Sequence, residues 1–504
     1  MKRVVIVGAG PVGLYTAIKL KQRGVDVTVI DPRADNYTRP GIISGMVFMD
    51  LEEHLGQPLE YDSHHIKDVE RSLYKIASAL HIDIQKYTFQ TLTDHGVIAA
   101  DSQKTPISLA CDLVIDCSGS KRVVMSDINR RHTDPPFKLQ AIAPNSLKNH
   151  FIAYITMPTE DAALLDTPLP TQTDPRTHTQ ALERLRLQFG WPEFSEPYLM
   201  HQTLDKNKVC LYFETPPGLQ ADQQEAWVQA LLQLKTGKDT VSFAQTPLKS
   251  GKKKPKFTAF ILDPHKATLF AHQESNLPMV IPLGDSQIDP DYRLGIGIVS
   301  GVTRVDAWIQ SLTIESGVIT TIDLELYTAQ LQPLLAEFEH EIITSIRARH
   351  YQLECDLKTA EQRYQRALAA STEPAERQSI QAGLEEIHYR RTMQYYQKGL
   401  EGYQNTLDSD RNIALDAYGN ITHELLLARS QKALLKALAS IPESHAIERE
   451  KIRATLQDMA DKYTQLSKRL SALNKPVNSE AYSQKAFVLQ EQLSESAQRP
   501  RLHR

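Results

Sequence analysis

The chain opens with Val4-Val5-Ile6-Val7-Gly8-Ala9-Gly10-Pro11-Val12-Gly13, and a second apolar run, Val27-Thr28-Val29-Ile30, ends on Asp31, eighteen residues past Gly13. This pattern predicts a strand, a glycine turn, a helix and a second strand tipped by a carboxylate. Gly8 permits the tight turn, Gly10 puts no Cβ between backbone and a pyrophosphate, and Gly13 lets the helix lie close on the strand. The helix, beginning at Pro11 and Val12 and running to about Arg23, points unpaired N–H groups at the phosphates. Asp31 falls where a carboxylate accepts hydrogen bonds from a ribose. The pattern predicts a dinucleotide site at the N-terminus.

A chain of 504 residues is too long for one simple core, so two or three domains are expected. With 41% apolar and 23% charged residues and a net charge of −4, it reads as a folded protein with no general drive toward nucleic acid or acidic lipid. The basic cluster Lys252-Lys253-Lys254 with Lys256 reads as a solvated loop. Cys111, Cys117, Cys210 and Cys355 form no CxxC and are too scattered for a metal cage, so free thiols and no metal site are expected. His64-His65, just before an amphipathic segment, reads as surface or capping. No apolar run is long enough to span a bilayer, and the N-terminal apolar residues belong to a strand rather than a signal peptide. A cytoplasmic protein is expected, or one acting in a host cytosol if exported. The last stretch, Leu489 to Ser496, reads first as an ordinary frayed helix end, and only its texture resembles bacterial type IV export signals.

Three textures follow one another. Residues 1–125 alternate short β-rich runs with helical segments, and Ile66, Val69, Leu73, Ile76, Ala77 and Leu80 have the spacing of a helix with one buried face. Residues 126–277 mix strand-like pieces (151–155 and 209–213) with proline-rich loops such as Pro168 to Pro175, and look helical from Gln180 to Phe189. The nucleotide unit resumes over 278–325. Residues 326–504 are charged and helical: Leu353, Leu357, Ala360, Tyr364 and Ala367 step by three and four, as do Ile452, Leu456, Met459, Tyr463, Leu466, Leu470 and Leu473. The expected architecture is an α/β Rossmann-like nucleotide domain (1–125 with 278–325), an inserted β-sheet substrate domain (126–277) and an all-α bundle or coiled coil (326–504). A self-contained bundle and a face that docks a protein partner are both compatible with the last region.

Two later segments bear on the ligand. Cys111-Asp112-Leu113-Val114-Ile115-Asp116-Cys117-Ser118-Gly119 is a buried strand running into a glycine turn. Gly284-Asp285 ends another strand, where Asp285 accepts from a ribityl or ribose hydroxyl. Gly295, Gly297 and Ile298 then open a second helix whose amides face the cofactor. That second N-terminus suits a flavin, whose N1–C2=O2 edge gains negative charge on reduction. FAD is therefore the expected cofactor.

In this order the three motifs resemble those of the FAD-dependent aromatic hydroxylases with the p-hydroxybenzoate hydroxylase fold. Within them the chain looks most like the monooxygenase domain of the MICAL proteins. The likeness covers roughly the first 315 residues and is patchy between motifs. It implies that Asp31 and Arg33 hold the adenosine ribose, that Arg39 approaches the pyrophosphate or flavin, and that Asp285 with the amides after Gly295 holds the ribityl chain and ring. Many relatives carry proline where Tyr292 stands; the MICAL branch instead has proline at the position of Pro290 and an aromatic at that of Tyr292, making Tyr292 the substrate-facing candidate. The family's Asp-Gly in the middle motif is Ser118-Gly119 here, and its later Ser and Arg are Arg122 and Met125, which leaves NADH or NADPH open. The resemblance implies a monooxygenase whose flavin is reduced by NAD(P)H and reoxidised by dioxygen through a C4a-hydroperoxide, acting on a small aromatic or protein substrate. The alternative is a flavin-binding scaffold, or a bacterial effector working through residues 326–504.

Overall fold

The computed structural model describes residues 3–38, 41–145, 147–166, 175–205, 207–245, 257–416, 421–473 and 475–498. Its N-terminal unit is built on β1 (Val4–Val7), α1 (Pro11–Gln22), β2 (Val27–Ile30), α2 (Gly45–Leu55), α3 (Ile66–Ala79) and β3 (Asp83–Gln85). An antiparallel trio follows: β4 (Thr88–Thr93), β5 (Gly96–Ala100) and β6 (Pro106–Ala110). The chain then returns as β7 (Leu113–Asp116) and α4 (Val123–Asn129).

After a long excursion it comes back once more as β15 (Met279–Pro282) and α8 (Gly297–Gln310). The five strands β15-β7-β1-β2-β3 form one sheet in that order, all parallel. Both faces are covered, as a parallel sheet requires. Val4, Ile6, Leu113 and Ile281 point into the core shared with α1, α3 and α8. Val5, Val7, Val114 and Val280 point to the other face, where Leu92, Val97 and Ala99 of the trio and Val124 of α4 cover them.

The excursion contains β8 (Leu139–Ala141), β9 (Asn149–Thr156), α5 (Thr159–Leu164), α6 (Pro175–Phe189), β10 (Leu199–Asp205), β11 (Lys208–Glu214), α7 (Gln224–Thr236), β12 (Ala244–Gln245), β13 (Phe257–Ile261) and β14 (His265–Ala267). Strands β10-β11-β9-β12, with β13 also on β9, make an antiparallel sheet. Strand alternation divides its faces. Phe151, Ala153, Ile155, Leu211 and Phe213 meet Trp227 and Leu231 of α7 and Leu185 of α6 in a dry core. The opposite face carries His150, Tyr154, Tyr212, Glu214 and Phe260, and it looks toward the parallel-sheet unit: Tyr154 Oη accepts from the Gly41 amide at 3.3 Å.

A hairpin, β16 (Leu312–Glu315) and β17 (Val318–Ile322), leads into α9 (Leu324–Ala370), a helix of 47 residues capped by Asp323, whose carboxylate accepts from the Leu326 amide. Residue 326, the expected start of the helical region, thus lies inside the first turn of α9. Tyr327, Leu331, Leu335, Phe338, Ile342 and Ile346 of this helix belong to the same core as the parallel sheet. Its second half, Leu357, Ala360, Tyr364 and Ala367, packs on Ile380, Leu384 and Ile387 of α10 (Pro374–Gln404). Helices α11 (Glu424–Ser440), α12 (Ala446–Ala472) and α13 (Pro476–Gln498) follow, each packed on the one before it. Close approach is built into α10, where a Cβ on Gly383 would lie 2.4 Å from the Tyr364 ring. The heptad-like stripe of α12 is buried from Ile452 to Leu470, whereas Leu473, expected to continue it, sits at the C-cap and is exposed. No helix among the described residues is long and apolar enough to cross a membrane.

Because Ile342 is fully buried between α9 and the sheet core, Ile342→Ala is expected to lower the unfolding free energy by about 2–5 kcal/mol in denaturant titrations. A change within about 0.5 kcal/mol would mean that α9 merely leans on the nucleotide unit.

Candidate FAD and substrate site

Register decides where the motifs go. Val7 pairs with Ile30 and Asp116, and Asp116 pairs with Pro282, so β1, β2, β7 and β15 end level with one another. The segments after them, Gly8–Gly13, Asp31–Arg33, Cys117–Gly119 and Leu283–Asp285, therefore share one edge. Ligands of open parallel sheets bind outside that carboxyl edge.

The glycines there fall into two kinds. A Cβ on Gly8 (φ +113°) would lie 2.2 Å from the Cys117 carbonyl oxygen, and one on Gly13 would lie 2.0 Å from that of Gly8. These two are required by the fold itself. Gly10, Gly119 and Gly295 would meet nothing within 4 Å: their missing side chains face open space. Gly284 and Gly301 press on the Val12 side chain, at 3.1 and 2.6 Å from an added Cβ. Val12 in the first turn of α1 thus touches both the end of β15 and α8. The start of α1, begun by Pro11 after Gly10, packs through Val12 on the N-terminal half of α8, begun by Gly297 and Ile298. Two helix N-termini with free amides, glycines open to that side and a carboxylate at each flank fit a dinucleotide with a flavin head.

The flanking carboxylates are held firmly. Asp31 accepts from the Ala9 amide at 2.9 Å and the Arg33 amide at 2.7 Å, and Arg33 returns a 3.2 Å contact to it. Arg33 also lies 3.7 Å from the buried Glu70. Asp285 is partly buried beside the guanidinium of Arg304 on α8. Arg304 is almost fully buried and donates to the Gln287 side chain at 2.9 Å, to Ser300 at 2.5 Å and to the Gly284 carbonyl at 3.3 Å, which fixes the strand end carrying Asp285. Burial pulls the Arg304 guanidinium down to about 10, with Asp285 opposing, so it stays charged at neutral pH. Arg39 lies outside the described residues, as do Lys252, Lys253, Lys254 and Lys256.

The middle motif meets the third. Ser118 donates to Asp116 at 2.6 Å and accepts from the Val123 amide at 2.9 Å, while Asp116 caps α4 through the Val124 and Met125 amides. Ser118 thus has a local capping role. Arg122 adopts a left-handed backbone (φ 47°) and reaches across to the Ser286 and His265 carbonyls and to Asp289 at 2.9 Å. A cavity of about 220 Å³ opens beside it, lined among others by Arg122, Ile261, Asp285, Asp289, Pro290 and Tyr292. Tyr292 is half exposed and meets Phe260 of β13 edge-on, with ring centroids 5.4 Å apart. An aromatic layer continues inward, His150 stacking between Phe260 at 5.8 Å and Tyr212 at 5.5 Å. Burial pulls the His150 imidazole down to about 4, leaving it neutral.

The neighbours of Tyr292 in the chain do something the sequence did not announce. Asp291, nearly fully buried, takes a two-point contact from Arg293, which also lies 4.0 Å from the buried Glu214 of β11. Arg349 of α9 completes the set, donating to Glu214 at 3.0 and 2.6 Å. One buried charge network thus joins the third motif, the antiparallel sheet and the long helix. On the opposite side Asp306 of α8 accepts from Tyr15 of α1 at 2.6 Å and pairs with His54 of α2 at 2.7 Å. His65 is buried at the N-cap of α3, its amide donating to Asp68, and Arg71 reaches Asp68 at 3.7 Å and the Tyr37 carbonyl at 3.1 Å.

Residues 1–64 match the family model described as "FAD binding domain". The N-terminal part of the chain is thus similar to FAD-binding domains. Similar solved structures include the flavin-dependent monooxygenase PieE in complex with FAD and substrate (14% identity, 77% of this chain and 72% of that one, TM-score 0.47). Others are 2-methyl-3-hydroxypyridine-5-carboxylic acid oxygenase (14%, 70% and 92%, 0.44) and CabE, an aromatic hydroxylase from angucycline biosynthesis (18%, 70% and 68%, 0.40).

Two outcomes are expected. Arg349→Met leaves Glu214 with one less buried partner and should cost about 3–5 kcal/mol in chemical unfolding; a loss under 1 kcal/mol would contradict a buried, closed network. The hydrogen bond to Asp306 raises the His54 pKa above its ordinary value of about 6.5. Its stabilisation is therefore complete below that value and fades as pH rises through the folded-state pKa. Measured unfolding free energies should fall over that window in the parent, and His54→Gln should flatten the slope.

Proposed function

We propose that the protein is an FAD-dependent monooxygenase that takes electrons from NAD(P)H and oxygenates a small aromatic or protein-borne substrate. The observation that carries this reading is the convergence of two helix N-termini and three open-faced glycines, Gly10, Gly119 and Gly295, at the carboxyl edge of one parallel sheet. When bound, FAD would supply the redox chemistry, hydride acceptance and dioxygen activation. The protein supplies binding, orientation and a dry wall. Gly10 and the first amides of α1 receive the pyrophosphate, Asp31 the ribose, and Asp285 the ribityl hydroxyls, with Arg304 holding the Gly284 carbonyl so that Asp285 stays in place. The first amides of α8 would donate to the edge of the ring that gains charge on reduction.

Tyr292 and Phe260, with Ile261 and Pro290, form the wall on which substrate rests, and the cavity beside Asp285 is the volume it enters. The Arg293–Asp291 pair fixes the loop that carries Tyr292, and Glu214 and Arg349 fix that pair against the antiparallel sheet. His150, kept neutral by burial, stacks within the sheet face and shares a 3.1 Å hydrogen bond with the Tyr212 hydroxyl. None of the side chains lining the cavity is assigned a nucleophilic role.

The test uses the steric contrast between glycines. Gly10 has ordinary extended backbone, and a Cβ there meets nothing. Gly10→Val should therefore fold and melt like the FAD-free parent while losing at least about tenfold in FAD affinity, or ~1.4 kcal/mol. The parent should bind FAD with a yellow absorbance, bleach with NADPH and recover in air. Tyr292→Ala should keep FAD but alter the rate of recovery or the release of hydrogen peroxide. A parent that stays colourless with added FAD, or a Gly10→Val variant that binds it equally well, would remove the basis of the proposal.

A further inference from the structure

Outside the flavin site, three side chains from two distant parts of the sequence converge on one point. Nε2 of His132 and Nε2 of His272 each lie 2.6 Å from the same oxygen, Oε1 of Glu274. One ligating atom from each residue lies within 4.8 Å of the other two. The two imidazoles meet edge to face, with centroids 5.9 Å apart, so both nitrogens are aimed at a shared position instead of stacking past it. All three residues reach solvent, leaving a path for an ion.

Their places in the fold make the convergence more than a chance surface cluster. His132 lies just beyond α4, where the chain leaves the parallel sheet for the antiparallel one. His272 and Glu274 lie just before β15, where it returns. Both supports are rigid. The His272 backbone exchanges two hydrogen bonds of 2.9 Å with Val280 of β15. Its ring rests on Phe137, 5.6 Å between centroids, and Phe137 is pinned through both its amide and its carbonyl to the Asn129 side chain at the end of α4.

We propose that His132, His272 and Glu274 bind one divalent transition-metal ion of the zinc class, which clips together the outgoing and returning crossings of the excursion. Two imidazoles and one carboxylate are a three-ligand set that leaves one position for water, and imidazole nitrogen selects zinc-like ions over calcium or magnesium. Around a tetrahedral ion with bonds of about 2.0–2.2 Å, ligand atoms sit roughly 3.3 Å apart. Binding therefore lengthens each nitrogen–oxygen separation from 2.6 Å by about 0.7 Å, which rotations of partly exposed side chains absorb. A bare His–Glu–His hydrogen-bonded cluster is the competing account of the same geometry, and it makes no use of an ion.

The experiment takes the full chain, stripped with a chelator, and titrates Zn²⁺ by calorimetry. The expected result is one ion per chain and an upward shift of the melting temperature by at least ~2 °C. Co²⁺ substituted for Zn²⁺ should give visible d–d absorption without a thiolate charge-transfer band, which separates this site from the exposed Cys355. His132→Asn, His272→Asn and Glu274→Gln should each fold, and none should gain melting temperature when Zn²⁺ is added. Each should weaken binding by more than the roughly 10–100-fold that loss of an outer-sphere partner costs. No binding by the parent, retention of the ion in all three variants, or a thiolate band would each overturn the site. Binding without a rise in melting temperature would overturn the clip. Neither readout involves flavin, so the outcome is independent of the oxidoreductase reading.

Discussion

The level ends of β1, β2, β7 and β15 are the constraint on which the remainder of the molecule rests. Parallel pairing runs the four strands in one direction, and the register makes them stop together. Every segment that leaves them must then turn on the same edge. Steric demands at that edge select the residues. Backbone passes so close to backbone at Gly8 and Gly13 that no side chain fits, while at Gly10, Gly119 and Gly295 the vacated space is open. Val12 is the small apolar contact that sets the distance between α1, β15 and α8.

Holding a second sheet at a fixed angle over that edge is a separate physical problem, and the chain solves it with buried charge and aromatic contact. Glu214 on β11 lies between Arg349 from α9 and Arg293 beside the third motif, and Asp291 offsets the second guanidinium. Burying one such group alone would be strongly unfavourable, so the four are retained together. The aromatic chain Tyr292–Phe260–His150–Tyr212 fills the same seam with rings at 5.4–5.8 Å separations. The long helix α9 joins both systems, its first half lying in the nucleotide core and Arg349 in the seam. Its leucine and tyrosine stripe beyond Leu353 then seats the first of the remaining helices.

Much of the edge was legible because its requirements are local. Gly8, Gly10 and Gly13 with Asp31 lie within two dozen residues, and the short β-rich runs fit buried strands through their unbroken aliphatic composition. The stripe from Ile452 to Leu470 is periodic, and periodicity needs no partner to be seen. Other features carried no local mark. Arg349 lies in a charged helix and looks like any solvated arginine until Glu214 is placed opposite. Ser118, in a motif position associated with a nicotinamide, is occupied as a cap under Asp116. His132 was silent because its companions His272 and Glu274 are far away in sequence, and a metal site was not expected on spacing alone.

Sequence by itself determined the kinds of local structure: where backbone must turn without a side chain, which strands are buried on both faces, and which helices have one apolar face. These follow from the steric and hydrophobic demands of neighbouring residues. Tertiary structure alone decided which distant groups share a low-dielectric seam or a surface point, as with Arg349 and Glu214 or His132 and Glu274. Such pairings depend on strand order, register and the path of the return crossings, and those are set by packing of the whole chain.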